Sequence, residues 1–192
     1  MEPMSQFLLS PILWWILLAL WVWWAVDSAA YPRVSKKFDK RTAKPGDLFT
    51  GGSTATSGTE KKVLETLHKA GYKTYPSSTW IWTPKDANGV AHRYTPDIIV
   101  KKPKMIVEVD PLHWHGGFDR IKHDVDRNRM YAAMGYTILR VRIGGAQTLS
   151  PNDVVIPEGD FDPKAHSKKL LRAVRSAKRL PSRHWNKFSI RI

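Results

Sequence analysis

"PDIIVKKPKMIVEVDPLHWHGG", Pro96 to Gly117, is the stretch on which the fold turns. Its two β-branched runs, "DIIV" and "MIVEV", flank the tight basic turn "KKPK", a pattern that predicts a pair of strands. Yet Asp97, Glu108 and Asp110 lie in runs that otherwise read as interior strands, and His113 and His115 follow at once. In an alternating strand, Ile106, Glu108 and Asp110 point to one side and Met105, Val107 and Val109 to the other, so two carboxylates share a face. Asp97 lies beside them if the strands pair as a hairpin. Clustered anions in a low-dielectric setting repel, and a hard divalent cation is the commonest reason to tolerate them. The chain has no cysteine, so a metal here would take oxygen and imidazole ligands only.

Outward from this stretch the elements alternate. "TEKKVLETLHKAGY" begins at Thr59 as N-cap, places Val63, Leu64, Leu67 and Ala70 at helical spacing, and stops at Gly71. "TYPSSTWIWT" reads as a strand and "PKDANG" as a turn. "FDRIKHDVDRNRMYAAMGY" is a long amphipathic helix carrying Ile121, Val125, Met130 and Ala133, and "TILRVRIG" is a further apolar strand. The order is helix, three strands, helix, strand. A last helix is expected in "PKAHSKKLLRAVRSAKRL", with Leu170, Leu171 and Val174 inward and Lys168, Lys169, Arg172, Arg175, Lys178 and Arg179 around them. Trp80 and Trp82 share a strand face, for core packing or base stacking. Asp126 and Arg127 form either a helix-surface ion pair or part of a site.

The amino-terminal residues suit a different solvent. "FLLSPILWWILLALWVWWAV", Phe7 to Val26, carries no charge over about 20 positions, the length of a membrane-crossing helix. Arg33, Lys36, Lys37, Lys40 and Arg41 follow it, so the positive-inside rule puts the C-terminal bulk in the cytoplasm as a single-pass membrane protein. The competing reading, a cleaved signal peptide ending at "SAA", lacks a positive n-region and has too long an apolar core. Residues 1–27 are thus expected as anchor, 28–57 as a basic, then Gly/Ser/Thr-rich tether, 58–146 as the catalytic core, and 147–192 as a basic extension. A net charge of +14 and a pI near 10.1 favour polyanions, either nucleic acid or an anionic membrane face. A basic protein that gathers carboxylates around a divalent ion points to phosphodiester chemistry.

At these residues the chain resembles the PD-(D/E)xK (restriction-endonuclease-like) nuclease superfamily over roughly Thr59 to Ile143, with Pro96-Asp97 as the Pro-Asp element. More narrowly, "TEKKVLETLHKAGY", "PDIIV", "IVEVD", "DVDRNRMYAAMGYTILRVR" and "HWHGG" look like the domain of very-short-patch-repair (Vsr-type) endonucleases and their relatives. The resemblance implies an α/β fold with a mixed sheet flanked by helices in the order αβββαβ, and Mg²⁺ or Mn²⁺ as cofactor. It implies Asp97 as central metal ligand, Glu108 or the Val109 carbonyl as a second, and Asp110 as a third or water-mediated one. His115 would assist as general acid or base, and Glu60 would help hold a metal-bound water. The superfamily's usual lysine, two positions after the glutamate, is here Asp110. Its cationic role is then filled otherwise or not at all, by His113 or His115 first and by Lys122 or Arg127 on the next helix after them. The expectation is a membrane-anchored DNA endonuclease, with Lys122, Arg127, Lys168, Lys169, Arg172 and Arg175 as nucleic-acid contacts. The alternative is a catalytically degenerate nucleic-acid-binding module tethered to the membrane.

Overall fold

The computed structural model describes residues 11–29, 34–35, 37–51, 56–86, 88–111, 118–145 and 148–189. The chain divides into two units, one containing the first helix and a second beginning at Val34.

Helix α1, Pro11–Ala29, starts at a proline, whose missing amide proton costs least there. Its apolar side chains run around the whole circumference, and Leu13, Trp14, Leu17, Trp21 and Trp23 are all exposed. Among the described residues no helix is long and apolar enough to cross a membrane. The Phe7–Ser10 portion of the expected span lies outside the described residues.

The second unit is a mixed α/β structure with two mixed sheets. In the first, β1 (Val34–Ser35) runs parallel to β2 (Leu48–Phe49), and β3 (Trp80–Lys85) pairs antiparallel with both β2 and β4 (Ala91–Tyr94). In the second, β5 (Ile98–Val100) and β6 (Met105–Pro111) form the hairpin, then β7 (Thr137–Ile143) and β8 (Val154–Ile156) add in parallel. Helix α2 (Gly58–Lys69) precedes β3, and α3 (Phe118–Ala133) joins β6 to β7. After β8 come α4 (Pro163–Ser176) and α5 (Ser182–Ser189).

Alternation in the second sheet makes two cores. Val107, Val109, Leu139 and Val141 pack with Val63 and Leu67 of α2 and Leu170 and Val174 of α4. Ile106 and Ile138, on the other face, pack with Val125 and Tyr131 of α3, Trp185 of α5, and Leu48 and Ile81 of the first sheet.

Several expectations shift. Between α2 and α3 lie four strands rather than three, divided between the sheets, because "AHRY" pairs with β3 while "IIV" pairs with β6. The cap of α2 falls at Ser57, whose hydroxyl accepts from the Glu60 amide at 3.1 Å, and the Thr59 hydroxyl turns to Asp160 instead. Gly71 and Gly135 end α2 and α3 as expected, each at a positive φ that only glycine adopts without strain. The tether at 28–57 contains β1 and β2, and Leu48 and Phe49 are buried. Two apolar residues in a Gly/Ser/Thr/Lys-rich run set up no period, so pairing with β1 and β3 makes them a strand. The extension at 147–192 is likewise part of the fold: Phe161, Leu170 and Trp185 are fully buried. The Asn152 side chain also ties the Ile138 and Lys178 carbonyls together, at 3.0 and 2.8 Å.

Replacing Trp185 by Ala should cost about 3–5 kcal/mol in urea unfolding, the usual loss for a buried Trp. An added tail would show no such loss.

Candidate functional site

The hairpin register pairs Ile98 with Val107, which sets Asp97 opposite Glu108 at the end of β6 nearest α3. Asp97 Oδ2 accepts the Val109 amide at 2.7 Å. Burial, then the Glu108 charge across the hairpin, push the Asp97 carboxyl well above the usual carboxylate range; Glu60 of α2 adds to the rise, and the Val109 amide and Arg127 oppose it. The hairpin and α2 therefore bring Asp97, Glu108 and Glu60 into one electrostatic neighbourhood.

Helix α3 lays Arg127 and Tyr131, four residues apart on one face, over the same spot. Arg127 Nη2 lies 3.6 Å from Glu108 Oε2 and 3.2 Å from Asp124 Oδ1. Burial lowers the affinity of Arg127 for its proton, but Glu108, Tyr131 and Asp124 together outweigh it, so the net shift is upward. The Tyr131 hydroxyl is fully buried, and burial and then Glu108 raise its pKa well above the usual phenol range. Glu108 is 1% exposed, and among the described residues its Oε1 has no hydrogen-bond partner. A buried carboxylate oxygen left in that state costs free energy unless a cation or proton meets it.

Asp110 shares the α3 face with Glu108, as alternation predicts, but its surroundings differ. The parallel register sets Glu108 beside Arg140 and Asp110 beside Arg142. Arg140 grips Asp110 through two nitrogens, Nη2 to Oδ1 at 2.8 Å and Nε to Oδ2, and Arg142 Nη1 reaches Oδ2 at 2.9 Å. Arg140 also contacts Asp124 at 3.1 Å and the Asn128 side-chain carbonyl at 3.1 Å. Both Asp110 oxygens are engaged by guanidinium groups, so the structure sets Asp110 among arginines rather than beside Asp97. Arg127, Arg140 and Arg142 meet Glu108, Asp110 and Asp124, while Asp97 accepts the Val109 amide; with all four carboxylates ionised they exceed the three guanidiniums by one.

Among the described residues no group of three or more His, Asp or Glu side chains is placed to hold a metal ion. His113 and His115 lie outside the described residues. Lys122 is exposed on α3, whereas Arg127 is committed to Glu108 and Asp124 rather than free for a ligand. Asp126 forms a 3.1 Å pair with Arg129 on the helix surface. Lys168, Arg172 and Arg175 line one groove of about 420 Å³ along α4. Lys169 turns to the Val155 carbonyl at 2.6 Å. Sequence reasoning missed Arg140 and Arg142, although a signal was present: "RVR" alternates in phase with "EVD", so parallel pairing must match charge with charge. Neither a family model, a curated protein nor a solved structure matches the chain.

Replacing Arg140 by Met should destabilise the fold by about 3–5 kcal/mol in urea unfolding, because Asp110 then keeps a buried charge without its main partner. Asp97→Asn should act in the opposite direction. A carboxyl whose folded pKa is raised favours the fold while protonated, below the unfolded value near 3.9, and that contribution is lost as pH rises through the folded pKa. Asparagine can still accept the Val109 amide but never ionises. Asp97→Asn should therefore melt higher than the parent at pH 7 in EDTA, with the difference vanishing near pH 3.

Proposed function

We propose that the chain is a membrane-anchored, Mg²⁺- or Mn²⁺-dependent DNA endonuclease of restriction-endonuclease-like fold, acting in the cytoplasm. The observation that carries this reading is the pairing of half-buried Asp97 with buried Glu108, whose Oε1 has no hydrogen-bond partner among the described residues. Two hard oxygen donors with an uncompensated charge suit a small divalent cation. Asp97 and Glu108 would hold the ion, with Glu60 at its margin. Asp110 is left out of the ligand set because Arg140 and Arg142 already occupy it. A divalent ion there supplies Lewis-acid activation of water and of the phosphoryl oxygen.

The remaining roles belong to the chain's own residues. Arg127 orients Glu108 and offsets part of its charge, standing where the usual lysine is missing. His115, with His113, would pass a proton to the leaving oxygen. Lys122 and the Lys168, Arg172 and Arg175 groove, beside Lys169, would hold the phosphate backbone. The apolar α1 with the preceding residues from Phe7 would serve as the anchor, and the basic flank that follows would stay on the cytoplasmic side. The engagement of Asp110 by two arginines favours a second reading, a nucleic-acid-binding module at the membrane that does not cut.

Full-length protein in detergent should nick supercoiled DNA with Mg²⁺ or Mn²⁺ and not with EDTA. Asp97→Ala and Glu108→Ala should lower the rate at least about 10²–10³-fold, the scale of losing electrostatic stabilisation of the transition state. The same ions should raise the melting temperature of the parent but not of Asp97→Asn. DNA binding without cutting under any metal would select the binding module.

A further inference from the structure

Beyond the carboxylate site, the outer face of the first sheet carries a cleft that none of the roles above uses. The register pairs Leu48 with Ile81 and Phe49 with Trp80, so Ile81 points into the core while Phe49, Trp80 and Trp82 point outward. Trp80 is closed off: Phe49 stacks on it at 4.6 Å and the Arg93 guanidinium covers its ring at 4.6 Å. Trp82 differs. Phe38 tilts against it at 5.1 Å, but the indole is only half-buried, and it borders a cleft of about 440 Å³ with Pro45, Val90 and Ala91. Lys40, from the segment before β2, and Lys85, at the end of β3, line the same cleft.

The chemistry of this cleft is specific. Its volume lies within the roughly 300–1,000 Å³ of ligand sites, and it combines an aromatic wall with apolar neighbours and two flexible cations. The carboxylates of the flanking turns are engaged locally: Asp39 with the Arg41 amide at 2.9 Å, Asp47 with the Lys44 amide at 2.8 Å, and Asp86 with His92 at 2.8 Å. An aromatic wall rimmed by lysines fits a flat ring that carries a phosphate. A base inside a duplex has both faces covered by its neighbours, whereas an unpaired or extruded base offers a free π-face.

We propose that the Trp82–Lys40–Lys85 cleft binds an unpaired nucleotide, with the base against the Trp82 indole and its flanking phosphates on the two lysines. This deepens the nucleic-acid reading above by naming the strand state of the substrate, and it rests on that reading only for the choice of nucleic acid. The site lies on a different sheet from Asp97 and Glu108, so binding and cutting can be separated by mutation.

The test is fluorescence anisotropy with full-length protein in detergent and EDTA, using an oligothymidylate of about 12 nucleotides and a blunt duplex of the same length. Trp82→Ala should weaken oligothymidylate binding about 5- to 100-fold, the scale of losing one stacked base, and leave duplex binding within about twofold. Trp82→Phe should retain most of the affinity, which separates loss of the ring from loss of the fold. Removing Lys40 or Lys85 should each flatten the salt dependence of the logarithm of the binding constant by about 0.7. The metal-free assay reads binding apart from cutting, so parent protein that binds the oligomer yet cuts DNA under no metal overturns the nuclease reading and leaves this one standing. Equal losses on duplex and single strand, or none on either, would overturn the proposal. So would an effect of these variants on phosphatidylserine vesicles alone, which would assign the cleft to the membrane interface.

Discussion

The pairing of "EVD" on β6 with "RVR" on β7 is the constraint on which the rest of the second unit depends. A parallel strand pair buried on both faces normally reads as a continuous apolar run, because nothing there can solvate a charge. Here Asp110, Arg140 and Arg142 are each at most 1% exposed, so their charges are sustainable only against one another. A slip of one residue between the strands would turn the guanidiniums toward Val63 and Leu67 and leave Asp110 unpaired. The ion pairs thus specify register more than they add stability, since desolvating the charges offsets much of their attraction.

The same ladder fixes helix α3. Asp124, Arg127 and Asn128 meet Arg140, Glu108 and one another, so the rotation of α3 follows from polar contacts as much as from Val125 and Tyr131 in the apolar core. With Arg140 and Arg142 engaged by Asp110 and Asp124, the ion pair that reaches Glu108 among the described residues is Arg127, at 3.6 Å, and none among them reaches Asp97. The surplus negative charge is therefore concentrated at one end of the ladder rather than spread along it. That position, at the carboxyl end of β6 and beside the start of α2, is where an open α/β sheet commonly places a ligand.

Charge is just as uneven at the scale of the whole chain. The last thirty residues, from Pro163, hold ten lysines and arginines and no carboxylate, most of the net +14 in under a sixth of the length. Helix α4 buries Leu170 and Val174 and exposes Lys168, Arg172 and Arg175, so folding sorts this charge outward onto one face. Such a surface raises the local concentration of any polyanion and makes its binding steeply dependent on salt.

The sequence by itself determined the local elements whose signals are periodic or terminal. These are the β5–β6 hairpin around "KKPK", the helices over Val63–Leu67 and Leu170–Val174, the glycine stops at Gly71 and Gly135, and the shared face of Glu108 and Asp110. Each follows from a repeat of 2.0 or 3.6 residues, a property of the chain alone. Tertiary structure decided everything that needs a partner distant in sequence. Leu48–Phe49 became a strand only through pairing with β1 and β3, and "AHRY" joined a different sheet from "IIV". Trp185 entered the core from what looked like a tail. Most telling is Asp110: alternation placed it on the right face, yet Arg140 and Arg142, some thirty residues away, determined that its charge is met by guanidinium while one Glu108 oxygen has no partner among the described residues. Periodicity says which way a side chain points, and only the packed sheet says what it points at.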